Sequence, residues 1–236
     1  MNNQQQLLHC SGVKKIYGKG ESRTEALRGV DFSLQAGEMT AIMGPSGCGK
    51  TTLLHCLSGM DKVTSGEIWF RDRPVHSLKE NEKDSLRGTS MGFVFQNYNL
   101  IPVLTAVENV ELPLLSQGVS PGESRKKAVD ALGKVGLYER RFHKPAHMSG
   151  GQQQRVAIAR AIVHNPGIVW ADEPTGALDR ETTGKVMQLI HHLNREEGTA
   201  FVIVTHDPDI AAMTSRIVYM DSGKIIHEKS GSGRGM

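Results

Sequence analysis

Apolar and polar positions divide the chain into short apolar runs separated by polar or glycine-containing stretches. Residues 7–17, 27–34 and 39–43 read as strands, the first two parted by the polar stretch 18–24. The third runs straight into a glycine-rich loop. Residues 50–58 then have helical character and stop at Gly59. Residues 67–70 and 91–95 are further short strands. The runs 168–170 and 201–205 are apolar throughout, as parallel strands buried on both faces are, with a helix over 183–195 between them. Residues 216–220 and 224–227 flank Asp221-Ser222-Gly223 and predict a hairpin.

The middle of the chain has a different texture. Residues 100–115 mix prolines with apolar residues. Ser120-Pro121-Gly122-Glu123 then combines a capping serine, a first-turn proline and a glutamate, which predicts a helix running to about residue 135. Between Gln152 and His164, apolar residues at Val156, Ala159, Ile162 and Val163 have helical spacing, ended by Asn165-Pro166. The region from about 97 to 164 reads as a helical subdomain inserted into an α/β core. The tail, about 229–236, is Gly/Ser-rich and is expected to be disordered.

Composition narrows the class. The 236 residues are 38% hydrophobic and 22% charged, enough for an ordinary globular core. A net charge of +3 is too weak to argue for nucleic acid, which is excluded as a partner. Three cysteines, Cys10, Cys48 and Cys56, have no metal-ligand spacing, and their odd number does not suit a disulfide framework. A reducing, cytosolic setting fits. The first six residues are neither basic nor apolar, so no signal peptide is expected, and no window approaches the roughly 20 apolar residues of a membrane span. Attachment to a membrane has to come through a partner.

Two segments carry chemistry on their own evidence. Gly44-Pro45-Ser46-Gly47-Cys48-Gly49-Lys50-Thr51, followed by Thr52, fits G-x-x-x-x-G-K-[ST] between a strand and a helix. Its glycines let backbone N–H groups curl around phosphate oxygens, and the helix start adds a positive dipole end. Lys50 is expected to neutralise the β- and γ-phosphates of ATP, and the Thr51 hydroxyl to ligate Mg²⁺. In Ile168–Glu173, an apolar strand ends in Asp172 and Glu173, at the edge where α/β sheets bind ligands. Asp172 is expected to hold Mg²⁺ and Glu173 to polarise the attacking water. No repeat and no second glycine loop occur, so residues 1–236 are expected to form one nucleotide-binding domain.

Met148-Ser149-Gly150-Gly151-Gln152 resembles the signature motif of ATP-binding-cassette (ABC) proteins, with Met148 where leucine is usual. The resemblance spans about residues 7–228 and implies the fold of a P-loop ABC ATPase. That fold has a mainly parallel α/β core, an N-terminal antiparallel β subdomain and an inserted helical subdomain. It also implies roles: Tyr17 as an aromatic stacked on adenine, Gln96 as a ligand of Mg²⁺ and water, Asp179 in a loop crossing a dimer interface, and His206 as a γ-phosphate contact. In this family ATP lies between the phosphate loop of one copy and the Ser-Gly-Gly-Gln helix of another. Each half occurs once here, which implies a homodimer.

The segments Phe95–Pro102, Glu108-Asn109-Val110 and Ala171–Asp179 are similar to those of macrolide-exporter, lipoprotein-releasing and peptide-antibiotic-resistance exporter ATPases. These imply an integral-membrane permease as partner and attachment at the cytoplasmic membrane face. Residues 98–107 are read either as a socket for a permease helix or as subdomain core. Cys48 is read either as a thiolate near a helix start, blockable by alkylation, or as a small filler. An ABC ATPase that regulates cell-wall or sensory machinery without moving solute stays open, and the transported substrate is invisible.

Overall fold

The computed structural model describes residues 6–231. The chain opens with β1 (Gln6–Tyr17), β2 (Thr24–Gln35) and β3 (Met39–Met43), then α1 (Lys50–Leu57), β4 (Ser65–Phe70) and the short β5 (Arg73–Pro74). Next come α2 (Glu80–Ser90), β6 (Met91–Phe95), α3 (Ala106–Ser116), α4 (Pro121–Lys134) and α5 (Gly150–Ile162). The last part holds β7 (Ile168–Asp172), α6 (Arg180–Glu197), β8 (Ala200–Val204), α7 (Pro208–Ala212), β9 (Arg216–Asp221) and β10 (Lys224–Ser230).

Two sheets result. A four-stranded antiparallel sheet has the order β2-β1-β4-β5, and a six-stranded sheet the order β10-β9-β3-β8-β7-β6. In the second, β9-β3-β8-β7-β6 are parallel and only the β9–β10 hairpin is antiparallel. The hairpin turns through Ser222 and Gly223, both at positive φ, the conformation a two-residue hairpin loop requires. The observed architecture is the α/β cassette expected, with a helical insertion between β6 and β7.

The central strands are buried on both faces because each face meets a different layer. Ile168 and Trp170 of β7 and Val202 and Val204 of β8 join a cluster with α1 and the antiparallel sheet. Their neighbours Val169, Ala171, Phe201 and Ile203 face the helical side, with Val107, Val110, Leu132 and Val156. This period-two split leaves the strands reading as continuous apolar runs. Burying two such layers anchors the strand ends from which the site emerges.

Three expectations need correction. Helix α2 is mostly polar, with Leu86 its one buried apolar residue, and it went unread. Helix α3 occupies much of the stretch read as proline-mixed, with Pro113 inside it. It forms because Thr105 and Glu108 cap its start reciprocally and Val107, Val110 and Leu114 are buried against α4 and α5. Lys229 and Ser230, expected in the disordered tail, pair with Ile217 and Arg216 in β10, and residues 232–236 of that expectation lie outside the described residues.

Asn109 shows how the insertion holds the loop ahead of α3. It is fully buried; its Nδ2 donates toward the carbonyls of Ile101 and Thr105 at 3.1 and 3.0 Å, and its Oδ1 accepts from the Ile101 N–H at 2.7 Å. Asn109→Ala strands these buried backbone groups, so urea unfolding should show a loss of about 2–4 kcal/mol. A loss under about 0.5 kcal/mol would remove Asn109 as the anchor.

Candidate active site

The phosphate loop leaves β3, every residue of which is buried, and turns into α1. Its path is dictated by close neighbours on both sides. Gly49 sits at φ 105, and a Cβ there would lie 2.5 Å from the Ala26 carbonyl oxygen of β2. At Gly44 a Cβ would lie 2.2 Å from the Met220 carbonyl oxygen of β9. The loop is further tied to the hairpin by the Gly223 N–H, which donates to the Cys48 carbonyl at 2.9 Å. Only glycine fits such a backbone.

The loop lines a cleft of about 470 Å³ with Ser46, Gly47, Gly49, Lys50, Thr51 and Thr52 on one side and Asp172 and Glu173 on the other. The Lys50 ammonium is buried and donates to the carbonyls of Gly44 and Pro45 at 2.8 and 2.9 Å. The Thr51 hydroxyl donates to Asp172 at 3.2 Å. Burial pushes the Asp172 carboxyl up, against the Thr51 hydrogen bond and the Lys50 charge. A hydroxyl and a carboxylate side by side are hard oxygen donors of the kind Mg²⁺ takes.

Glu173 holds a strained backbone at φ 49, fixed by its N–H donating to the Val204 carbonyl at 2.9 Å. Its carboxylate meets His206 Nδ1 at 2.8 Å. Glu173 therefore lies on the wall between the phosphate cleft and a second cleft of about 500 Å³, lined by Gly176, Leu178, Arg180, Thr183, His206 and Asp207. One carboxylate is thus presented to both spaces.

The remaining expected residues are not gathered around the loop. Ser149 caps α5, with its hydroxyl accepting from Gln152 N–H at 3.3 Å and Gln152 Oε1 accepting from Ser149 N–H at 3.0 Å. Gly150 and Gly151 sit close against the Tyr98 hydroxyl and Thr182. None of Ser149, Gly150, Gly151 and Gln152 lines the phosphate cleft. Asp179 caps α6, accepting from Thr182 N–H at 2.9 Å and its hydroxyl at 2.7 Å, which lowers its carboxyl. Gln96 is exposed one residue beyond Phe95, the partner of Asp172 in register, and its amide lies against Gly176. Tyr17 ends β1, half-exposed, with its hydroxyl donating to Asp61 at 2.6 Å.

Cys48 packs as the filler reading describes: it is buried with apolar side chains of α1 and the antiparallel sheet. Two positioning residues went unread. Gln154 of α5 is fully buried and donates to the Pro174 carbonyl, next to Glu173. Arg160 donates to the carbonyls of Tyr98 and Asn99 at 2.9 and 2.6 Å, holding two residues at positive φ just after Gln96. A polar residue on the buried stripe of a helix was the available signal for Gln154.

With this geometry established, comparison with known proteins decides the family. The family model described as ABC transporter matches residues 27–176. The chain belongs to the ABC transporter family. The curated relatives of this family member include the lipoprotein-releasing system ATP-binding protein LolD of Idiomarina loihiensis, 44% identical over 225 residues, 95% of this chain and 98% of the relative. Among solved structures, the dimeric cassette MJ0796 in a post-hydrolysis state bound to ADP and Pi is 44% identical with a TM-score of 0.87, covering 94% of this chain and 98% of its own. The cbiO1 protein of Clostridium perfringens, part of the cbiONQ complex, is 29% identical with a TM-score of 0.86, covering 96% and 89%. The chain is an ABC ATPase.

The loop geometry yields a direct test. Gly49→Ala meets both the φ and the Ala26 oxygen, so ATP affinity should fall by about tenfold or more in a fluorescent-nucleotide titration. Gly133→Ala, in an open helical position, is the matched control and should bind normally. Equal binding by both variants would contradict the fit described.

Proposed function

We propose that this chain is the ATP-driven motor of a membrane transporter and works as a homodimer with two sites shared between copies. The observation that carries this reading is the separation within one chain of two anion-binding features. The phosphate loop opens on one cleft, and the Ser149–Gln152 start of α5, with its donors and dipole, opens elsewhere. A second copy turned head to tail brings the two together, and the dimeric relatives support that arrangement. The whole chain then acts as one nucleotide-binding domain.

Within the site, Lys50 and the loop N–H groups of Ser46, Gly47, Cys48, Gly49, Thr51 and Thr52 bind the phosphates, and Tyr17 stacks on the adenine. Thr51 and Asp172, with Gln96 at the end of the adjacent strand, hold Mg²⁺; the bound ion neutralises phosphate charge. Glu173 accepts a proton from the attacking water while His206, bonded to it, fixes its carboxylate and reaches the γ-phosphate. Ser149, Gly150, Gly151 and Gln152 close over the γ-phosphate from the second copy, and Asp179 lies in the loop crossing between the copies. Glu173→Gln removes the proton acceptor and keeps the shape. Turnover should fall about 100-fold or more with ATP binding retained; near-normal turnover would take the role from Glu173.

Motion passes to an integral-membrane permease through the helical insertion. The stretch read as socket or core divides: Ala106 and Val107 are buried, whereas Ile101 and Val103 are exposed. Beside them an apolar groove of about 410 Å³ is lined by Met60, Phe93, Phe95, Asn99 and Pro113. This groove follows Gln96 directly, so a permease helix seated there feels the state of the site. Among the described residues no helix is long and apolar enough to cross a membrane, and attachment at the cytoplasmic face runs through that permease. Hydrogen exchange of the chain alone and in complex should show protection at Phe93–Leu104 on complex formation; unchanged exchange there would refute the groove as the docking site.

A further inference from the structure

Tyr17 is anchored by a group of residues that the catalytic account does not use. Its side chain is 42% exposed, so packing covers only part of it. Its hydroxyl instead donates to Asp61 Oδ2 at 2.6 Å. The other carboxylate oxygen, Asp61 Oδ1, accepts from Lys15 Nζ at 2.6 Å. Lys15 is buried and donates as well to the Lys62 carbonyl at 2.7 Å, and its ammonium lies 4.7 Å from the centre of the Tyr17 ring. Lys15 and Tyr17 are two residues apart on β1, so their side chains leave the same face of the strand.

The partner of the hydroxyl is tied to the phosphate-loop helix. Asp61 lies beyond the end of α1, with its N–H donating to the carbonyl of His55 in that helix at 3.0 Å. The turn carrying Asp61 is also pinned to β1 by the Thr64 N–H donating to Lys14 at 2.8 Å and the Ile16 N–H donating to the Thr64 hydroxyl at 2.9 Å. The ring is therefore referenced to the same helix that holds the phosphates.

We infer that Asp61, clamped by Lys15, is a positioning residue that fixes the Tyr17 ring as a ready-made platform for the adenine base. This rests on the reading of Tyr17 as the adenine platform. An exposed tyrosine has two side-chain torsions to immobilise when a base stacks on it, and a charge-assisted hydrogen bond immobilises them beforehand. With the Lys15 ammonium on one side of the ring, the other is left to the base. The clamp acts on base recognition and leaves the triphosphate contacts untouched.

The test compares binding of ATP and of inorganic tripolyphosphate to the full chain by calorimetry. Tyr17→Phe, which removes only the hydroxyl, and Asp61→Ala should each weaken ATP binding about threefold to tenfold and leave tripolyphosphate unchanged. The double variant should be no weaker than either one, since both break the same bond. Asp61→Asn, whose amide oxygen still accepts the hydroxyl, should recover most of the loss, and KM for ATP should rise in Asp61→Ala with kcat unchanged. Equal loss of both ligands, or losses that multiply in the double variant, would overturn the inference. Tyr17→Ala separates it from its premise. If that variant binds ATP normally, the adenine reading fails and the clamp with it; if it binds poorly while Tyr17→Phe and Asp61→Ala are unaffected, the clamp alone fails.

Discussion

The glycine loop between β3 and α1 is squeezed between the Ala26 and Met220 carbonyls, and that confinement governs the rest of the site. A loop this close to its neighbours cannot carry side chains at Gly44 or Gly49, and for the same reason it cannot wander. Its rigidity comes from the layers behind it: the fully buried strands β3 and β8, β7 buried up to Asp172, and the hairpin turn bonded to Cys48. A loop held in this way needs no rearrangement before a ligand arrives.

From that fixed point the chemistry is spread by the sheet. β7 delivers Asp172 beside Thr51 and then, through a strained residue, swings Glu173 to the wall between two clefts. β8 carries His206 to the far side of the same carboxylate. β6, next to β7, hands Gln96 to the helical insertion, whose Arg160 and Gln154 reach back to the Gln96 and Glu173 loops. One set of adjacent strand ends thus joins the phosphate-loop cleft, the cleft beside His206 and the apolar groove. The arrangement accounts for how a local event at phosphate could reach a surface on the other side of the insertion.

The sequence made the strands, the loop and the hairpin legible because each carries a strong local signal: apolar runs, glycines at required angles, paired turn residues. It hid α2, a mostly polar helix that buries one leucine, and it hid α3, where burial of Val107, Val110 and Leu114 overrides the proline. The site residues were legible as motifs, yet their distances were not. That the Ser149 helix start does not line the cleft of its own chain's loop is a fact of topology. Gln154 and Asp61 escaped because their importance lies in a single partner far away in sequence, Pro174 for one and Tyr17 for the other.

The central claim is that each site is built from two copies, and mixed dimers test it most directly. A Lys50→Ala chain lacks the phosphate-loop half and a Ser149→Arg chain lacks the helix half, so each alone should fail to retain a slowly hydrolysed ATP analogue. Mixed together, their heterodimers should hold one intact site and retain a single analogue per dimer. A mixture that retains no more than its separate components would contradict the account.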